Sequence, residues 1–181
     1  HHDTDGDGII DVRSEYNMAH SQNCAKRDAG SASGPSPTDF STEVMTSIIA
    51  ARQILSNAAN KTNPALTEAE NTKLQEHIKM ASVAWEKCIA ATAVHYVNDL
   101  FADMDEYKSG TPATLSNFET VAKHWSELKG FVMSLQFSPA SPFRDAAVTA
   151  VDLNDLKHIS MLLGDAPVLA DGSQMGVAPS G

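Results

Sequence analysis

The longest continuous pattern in this chain is helical. Thr67 and Glu70 have the spacing of a capping box, in which each side chain accepts the backbone N–H of the other. From there a helical pattern extends to about Tyr107. Residues 88–97 within it are apolar or small on every face, and neighbours surround such a helix. The pattern therefore predicts a long helix that other helices, or a partner, must cover.

Two further helices of similar character are predicted. Apolar residues recur at helical spacing from Asp39 to about Ala59. A second capping box, Ser116 with Glu119, precedes another apolar stripe that reaches Leu135. The expected buried stripe of the first of these helices consists of Phe40, Val44, Ile48, Ala51 and Leu55.

A shorter fourth helix is expected to begin near Asp152 or Asp155 and to end at Gly164, with Pro167 beyond it. No alternating strand pattern of useful length is present. The expected fold is all-α, an up-down helical bundle of about four helices with an amino-terminal calcium-binding loop and an irregular linker.

The composition divides the chain into four predicted segments. Residues 1–20 contain the loop, and residues 21–38 are rich in Ser, Gly, Ala and Pro and read as a linker. Residues 39–169 form the helical bundle domain. Residues 170–181 form a tail that is loose unless a partner orders it.

The amino-terminal pattern is typical of a calcium-binding loop. Three carboxylates alternate with small residues, a glycine follows the third, and a fourth carboxylate comes after two aliphatic residues. Ca²⁺ takes roughly six to eight oxygen ligands, and a short loop wraps around it where a glycine permits a sharp turn. Gly8 falls at that turn when the loop is counted from its first aspartate. The expected ligands are Asp3, Asp5, Asp7, the carbonyl of Ile9, Asp11 and Glu15.

The loop departs from the usual pattern at its last ligand, where Ser14 replaces a bidentate acid and Glu15 follows. A one-residue slip would bring Glu15 to the ion, or water and a distant carboxylate would fill the place. The alternative is a solvated acidic turn without an ion, although carboxylates this crowded repel one another unless a cation lies among them. Because no helix clearly precedes Asp3, we expect a fixed structural ion and not a sensor.

Charge and motifs exclude several classes of function. Lys and Arg total 13 against 23 for Asp and Glu, a formal charge of -10, which argues against nucleic acid and anionic membranes as partners. No apolar run approaches the roughly 18–20 residues of a membrane span. No Ser-His-Asp order, phosphate-binding loop, nucleotide fingerprint or haem attachment pair is present, so we expect no enzymatic activity.

The two cysteines lie in different surroundings, Cys24 in a polar segment and Cys88 within the long helix. Calcium loops suited to millimolar ion belong outside the cytosol, where a disulfide is also permitted. This favours an extracellular, periplasmic or cell-surface location. A Cys24–Cys88 bridge would tether the loop segment to the helical body, and two free thiols are the equal alternative.

Two histidines and two carboxylates predict a possible second metal site. His124 and Glu127 are three residues apart, and His95 and Asp99 are four apart on the preceding helix. In an antiparallel hairpin that turns near Pro112, all four side chains would lie at one level, an arrangement that can hold iron or zinc. The alternatives are a hydrogen-bonded histidine–carboxylate network without metal, or exposed residues.

The carboxy-terminal two-thirds of the chain carries a family resemblance. Its segments are Met80–Lys87, Ala91–Tyr96, Lys123–Phe131, Leu135–Pro139 and Leu163–Pro167. With them the chain resembles uncharacterised bacterial envelope proteins and lipoproteins distantly related to imelysins. The resemblance implies a secreted or lipid-anchored helical bundle, with iron acquisition as the role of the wider group. Of the imelysin Gly-x-His-x-x-Glu motif, thought to bind metal, His124 and Glu127 match, and Ala122 replaces the glycine.

Two functions are therefore expected from different classes. The first is an extracellular or envelope domain, stabilised by Ca²⁺, that binds a protein partner or assembles with copies of itself. The alternative is an imelysin-like iron-binding accessory protein that uses the two histidines and two carboxylates. A metal-dependent hydrolase ranks last, because no base or nucleophile is visible.

Overall fold

The computed structural model describes residues 6–8, 24, 28, 37–108, 115–144 and 150–168. These ranges contain helices α1 (Phe40–Ala59), α2 (Glu68–Lys108), α3 (Leu115–Ser134) and α4 (Leu153–Leu163), and no β-strand. The predicted all-α helical-bundle fold is confirmed. None of the helices in the described ranges is long and apolar enough to cross a membrane.

The chain divides into two compact units, His1–Ile89 and Ala90–Gly181, and α2 contributes residues to both. The segment boundaries predicted at residues 20 and 170 fall outside the described ranges and stay predictions. Each unit is therefore described by itself below.

In the first unit, the buried face of α1 differs from the predicted stripe. Ile48 and Leu55 belong to that stripe but are 45% and 48% exposed. Ser47 and Ala58 are buried in their place. The apolar side chains of α1 are spread over more than one of its faces, so their spacing alone fits more than one buried face. In the structure the buried face is the one with small residues, which permit close approach of a neighbour.

The capping box at the start of α2 is confirmed. The Thr67 backbone N–H donates to Oε2 of Glu70 at 2.8 Å, and the Glu70 N–H donates to the Thr67 hydroxyl at 3.2 Å. Lys61 lies across the turn, with Nζ 2.5 Å from the same Oε2. The Lys61 hydrogen bond, followed by those from Thr67, lowers the pKa of Glu70 to about 2.

The second predicted capping box is misplaced. Helix α3 already includes Leu115, so Ser116 lies inside its first turn and not at its cap. Helix α4 agrees with its prediction, since it begins after Asp152 and ends at Gly164, whose φ of 66° only glycine adopts readily.

The second unit is built on side chains from α2, α3 and α4. Two polar contacts fix the end of α4 against α3: the Trp125 indole N–H donates to the carbonyl of Leu163 at 2.9 Å, and Lys129 donates to the carbonyl of Gly164 at 2.6 Å. A cation near the last carbonyls of a helix satisfies acceptors that have no partner within the helix. The buried apolar side chains of this unit include Ala93, Tyr96, Val121, Leu128, Phe131, Val132, Leu135 and Leu156.

Candidate functional site

The described part of the calcium loop is Gly6-Asp7-Gly8. Gly6 has φ 76° and Gly8 has φ 81°, both in the left-handed region that residues with a Cβ rarely adopt. A Cβ added at either position would meet no atom within 4 Å, so the backbone conformation, and not lack of space, requires glycine here. A left-handed φ at Gly8 fits the sharp turn that the loop pattern predicts there, and calcium binding itself stays a prediction.

The remaining predicted ligands lie outside the described residues. Asp7 is described and exposed to solvent. The roles of the others therefore stay predictions, and these residues are Asp3, Asp5, Ile9, Asp11 and Glu15.

A disulfide joins the segment after the loop to α2. Cys24 and Cys88 are bridged, with their Cα atoms 5.5 Å apart, and both are buried. The bond closes a loop of 64 residues, which by the chain-entropy estimate contributes about 4 kcal/mol to stability. Of the two alternatives that the sequence leaves open, the structure contains the bridge.

Asp28 forms a second anchor one helical turn after Cys24. Its backbone N–H donates to the carbonyl of Cys24 at 3.0 Å. The residue is 2% exposed, and its carboxylate accepts hydrogen bonds from the Ser41 N–H at 2.5 Å, the Ser41 hydroxyl at 2.7 Å and the Thr38 hydroxyl at 2.9 Å. Within the predicted linker 21–38, Cys24 and Asp28 are thus buried contacts of the first unit.

The Asp28 carboxylate caps α1 from outside the helix. Asp39 occupies the N-cap position but makes no side-chain capping hydrogen bond. Ser41 is in the first turn of α1, so its N–H is one of the donors that the helix leaves unsatisfied. Burial raises the pKa of Asp28, and the hydrogen bonds from Ser41 and Thr38 outweigh burial and lower it below the ordinary value.

The two histidines of the predicted second metal site each contact an aspartate of α2, and neither of these two contacts involves Glu127. Nδ1 of His124 lies 2.5 Å from Oδ2 of Asp103, and both side chains are partly buried. Nε2 of His95 lies 3.0 Å from Oδ2 of Asp99, one turn away on the same helix and more exposed. The Tyr96 ring packs against both imidazoles, with centroids 5.5 Å from His95 and 6.0 Å from His124.

The partner of His124 is thus Asp103, one helical turn beyond the predicted Asp99. Among the described residues, no group of three or more His, Cys, Asp or Glu side chains is placed to hold a metal ion. The geometry is that of a histidine–carboxylate contact in which the carboxylate orients the ring. Asp103 was not predicted, although its spacing of four from Asp99 places it on the same side of α2.

Asp28 is the functional residue that no sequence signal marks. It lies among small and polar residues with no apolar periodicity, and its contacts are 10 and 13 residues away. Only the folded chain brings it to the start of α1.

No family model, curated protein or solved structure matches this chain. The resemblance to imelysin-related envelope proteins therefore stays an expectation from the sequence.

Proposed function

We propose that this chain is a non-enzymatic extracellular or cell-envelope domain that binds Ca²⁺ through its amino-terminal loop and acts as a structural and interaction module. The observation that carries the proposal is the spacing of aspartates around Gly6 and Gly8, together with the left-handed backbone of both glycines. An oxygen-rich loop with two such turns can wrap a hard cation.

The anchors next to the loop support a structural role for the ion. Cys24 is joined to α2 by a covalent bond, and Asp28 is joined to the start of α1 by hydrogen bonds from Ser41 and Thr38. An ion in the loop, whose last predicted ligand is nine residues before Cys24, would add a further fixed point on the amino-terminal side of the bridge. A fixed attachment is suited to a permanent ion, whereas a sensor needs an element that can move.

The disulfide also supports the proposed location. Disulfides persist in oxidising compartments, where Ca²⁺ reaches the concentrations that weak extracellular loops require. The net charge of -10 further favours binding of cations over nucleic acid.

Calorimetric titration with Ca²⁺ and thermal unfolding, with and without EGTA, test the proposal. An ion that binds only the folded state raises its stability by about 2.7 kcal/mol at a hundredfold excess over Kd, so EGTA should lower Tm. Asp7→Ala should remove both the binding heat and the EGTA effect while leaving the far-ultraviolet helix signal intact.

Glu76→Ala is the matched control, because it removes one exposed carboxylate from α2, far along the chain from the loop. It should bind Ca²⁺ as the parent does. Identical melting curves of the parent protein with Ca²⁺ and with EGTA, and no binding heat, would refute the calcium role.

We do not propose the iron-binding alternative as a second function. Its four residues, His95, Asp99, His124 and Glu127, do not form a three-ligand group in the described ranges. A transition metal found in stoichiometric amount, by elemental analysis of protein from its natural source, would support the iron-binding alternative.

A further inference from the structure

The outer face of α2 is apolar and exposed. We define it as Ala90, Val94, Val97 and Phe101, of which the last three are 60%, 48% and 68% exposed. The opposite side of the helix carries Tyr96, which is buried in the second unit. A row of large apolar side chains on the solvent side of a helix is typical of an interaction surface.

The spacing of this face favours a helix as its partner. Its residues follow one another at intervals of four, three and four, the a/d spacing of a coiled coil. Such a row stays on one side of a helix over several turns and packs best against another helix. An extended peptide, whose side chains alternate every two residues, would not match it.

We infer that the outer face of α2 pairs with the same face of a second copy of this chain, in antiparallel orientation about a two-fold axis. The inference deepens the interaction role proposed above and rests on it. With Val94 opposite Val97 of the second copy, the smallest residue, Ala90, lies opposite the largest, Phe101. The same surface then meets itself with large side chains against small ones, as a two-fold interface requires.

The charges at the two ends of this face select the same orientation. Lys87 lies two turns before Val94, and Asp105 lies one turn after Phe101, both exposed on this side of α2. Antiparallel pairing brings Lys87 of each copy beside Asp105 of the other, which makes two opposite-charge contacts. In a parallel pair the two residues would lie about 27 Å apart along the helices, so these contacts could not form.

The size of the face predicts a weak dimer. From Lys87 to Asp105 the helix rises about 27 Å. One helix face of that length is short of the roughly 1,200–2,000 Å² that a stable complex buries in total. The dimer should therefore be reversible, with its fraction rising as the protein concentration rises.

Sedimentation velocity over a wide concentration range, with saturating Ca²⁺ and with EGTA, tests the pairing. The parent chain should pass from monomer to dimer. Val97→Glu places two like charges near the centre of the pair and should raise the dimer Kd roughly a hundredfold. Met133→Glu, a matched change at an exposed apolar residue of α3, should leave Kd unchanged.

A charge exchange tests the orientation. Lys87→Glu and Asp105→Lys should each raise Kd roughly tenfold, since each replaces two opposite-charge contacts with like-charge ones. The double variant restores opposite charges only in the antiparallel arrangement and should recover the parent Kd. Helix content of every variant, and Tm measured where the parent is monomeric, should match the parent, because all four substituted positions are exposed.

A chain that stays monomeric at every concentration overturns the inference. So does a dimer whose Kd is unchanged by Val97→Glu, or a double variant whose Kd does not return to that of the parent. If Tm still depends on Ca²⁺ in those cases, the proposed function stands and only the pairing fails. Pairing that persists without any effect of Ca²⁺ on Tm supports the inference and removes the calcium role alone.

Discussion

The first turns of α1 and α4 both contain backbone N–H groups that have no partner within the helix. In each helix a carboxylate accepts from them, but the two carboxylates come from different parts of the chain. At α4, Asp152 accepts the N–H groups of Asn154 at 2.6 Å and Asp155 at 3.1 Å, and Asp155 accepts the N–H of Asp152 at 2.8 Å. At α1, Asp39 stands at the corresponding position without capping, and Asp28 supplies the carboxylate from 13 residues before Ser41. One cap is local and exposed, and the other is distant and buried.

The difference shows in what else each carboxylate does. Hydrogen bonds from Asp155 and then Asn154 lower the pKa of Asp152, at the surface. Those from Ser41 and Thr38 lower the pKa of Asp28 against the opposing effect of burial. The local cap stabilises one helix end. The distant cap also joins Thr38 and Ser41 to a residue whose N–H donates to Cys24, so its removal should disturb more of the first unit.

Of the changes that test this contrast, removal of the disulfide should lower the free energy of unfolding most, because the bridge is covalent and lies one turn before Asp28. We expect Cys24→Ala with Cys88→Ala to lower the free energy of unfolding by about 4 kcal/mol. Urea unfolding followed by circular dichroism measures it, with Ser82→Ala on the exposed side of α2 as the control. A loss no larger than that of the control would mean that the segment is held without the bridge.

Asp28→Asn should come next, with a loss of about 2 kcal/mol, because it removes the charge from the acceptor of the partly buried hydrogen bonds of Ser41 and Thr38 while it keeps the shape. Glu43→Gln is the control, since it removes an exposed carboxylate from the first turn of the same helix. Amide hydrogen exchange should show faster exchange at Ser41 in Asp28→Asn alone. Equal losses in both variants would make Asp28 an ordinary helix-terminus charge.

The contribution of Asp28 should depend on pH. Its pKa in the folded chain is below the ordinary value of 3.8, so folding favours the ionised form. The stabilisation is fully present above that value and is lost as the pH falls through the folded-state pKa. The difference in Tm between the parent and Asp28→Asn should therefore be constant near neutral pH and shrink in acid. A difference that grows in acid would contradict the assignment.

Asp152→Ala should have the smallest effect of the three changes, a slight fall in Tm, because water can replace an exposed cap. Its loss should be smaller than that of Asp28→Asn and confined to α4, which residue-resolved hydrogen exchange would show. A fall in Tm as large as that of Asp28→Asn would mean that the local cap of α4 and the distant cap of α1 contribute equally to stability, contrary to this prediction.

The four helices, and the caps of α2 and α4, depend on neighbouring residues. Apolar spacing predicted four helices. The capping side chains at the starts of α2 and α4 lie within four residues of the N–H groups that donate to them. The left-handed turns at Gly8 and Gly164 likewise fit the positions that their patterns mark. Such features depend on backbone geometry over one or two turns, and a linear sequence contains that information.

Contacts between distant segments were decided only by the tertiary structure. The choice of Asp103 over Asp99 for His124 depends on how far α3 is shifted along α2, and one turn of shift changes the partner. Burial of Ser47 in place of Ile48 depends on which face of α1 a neighbour approaches. The cap by Asp28 depends on the path of the chain between Cys24 and α1. In each case several arrangements satisfy the local pattern equally well, and packing of the whole unit selects one of them.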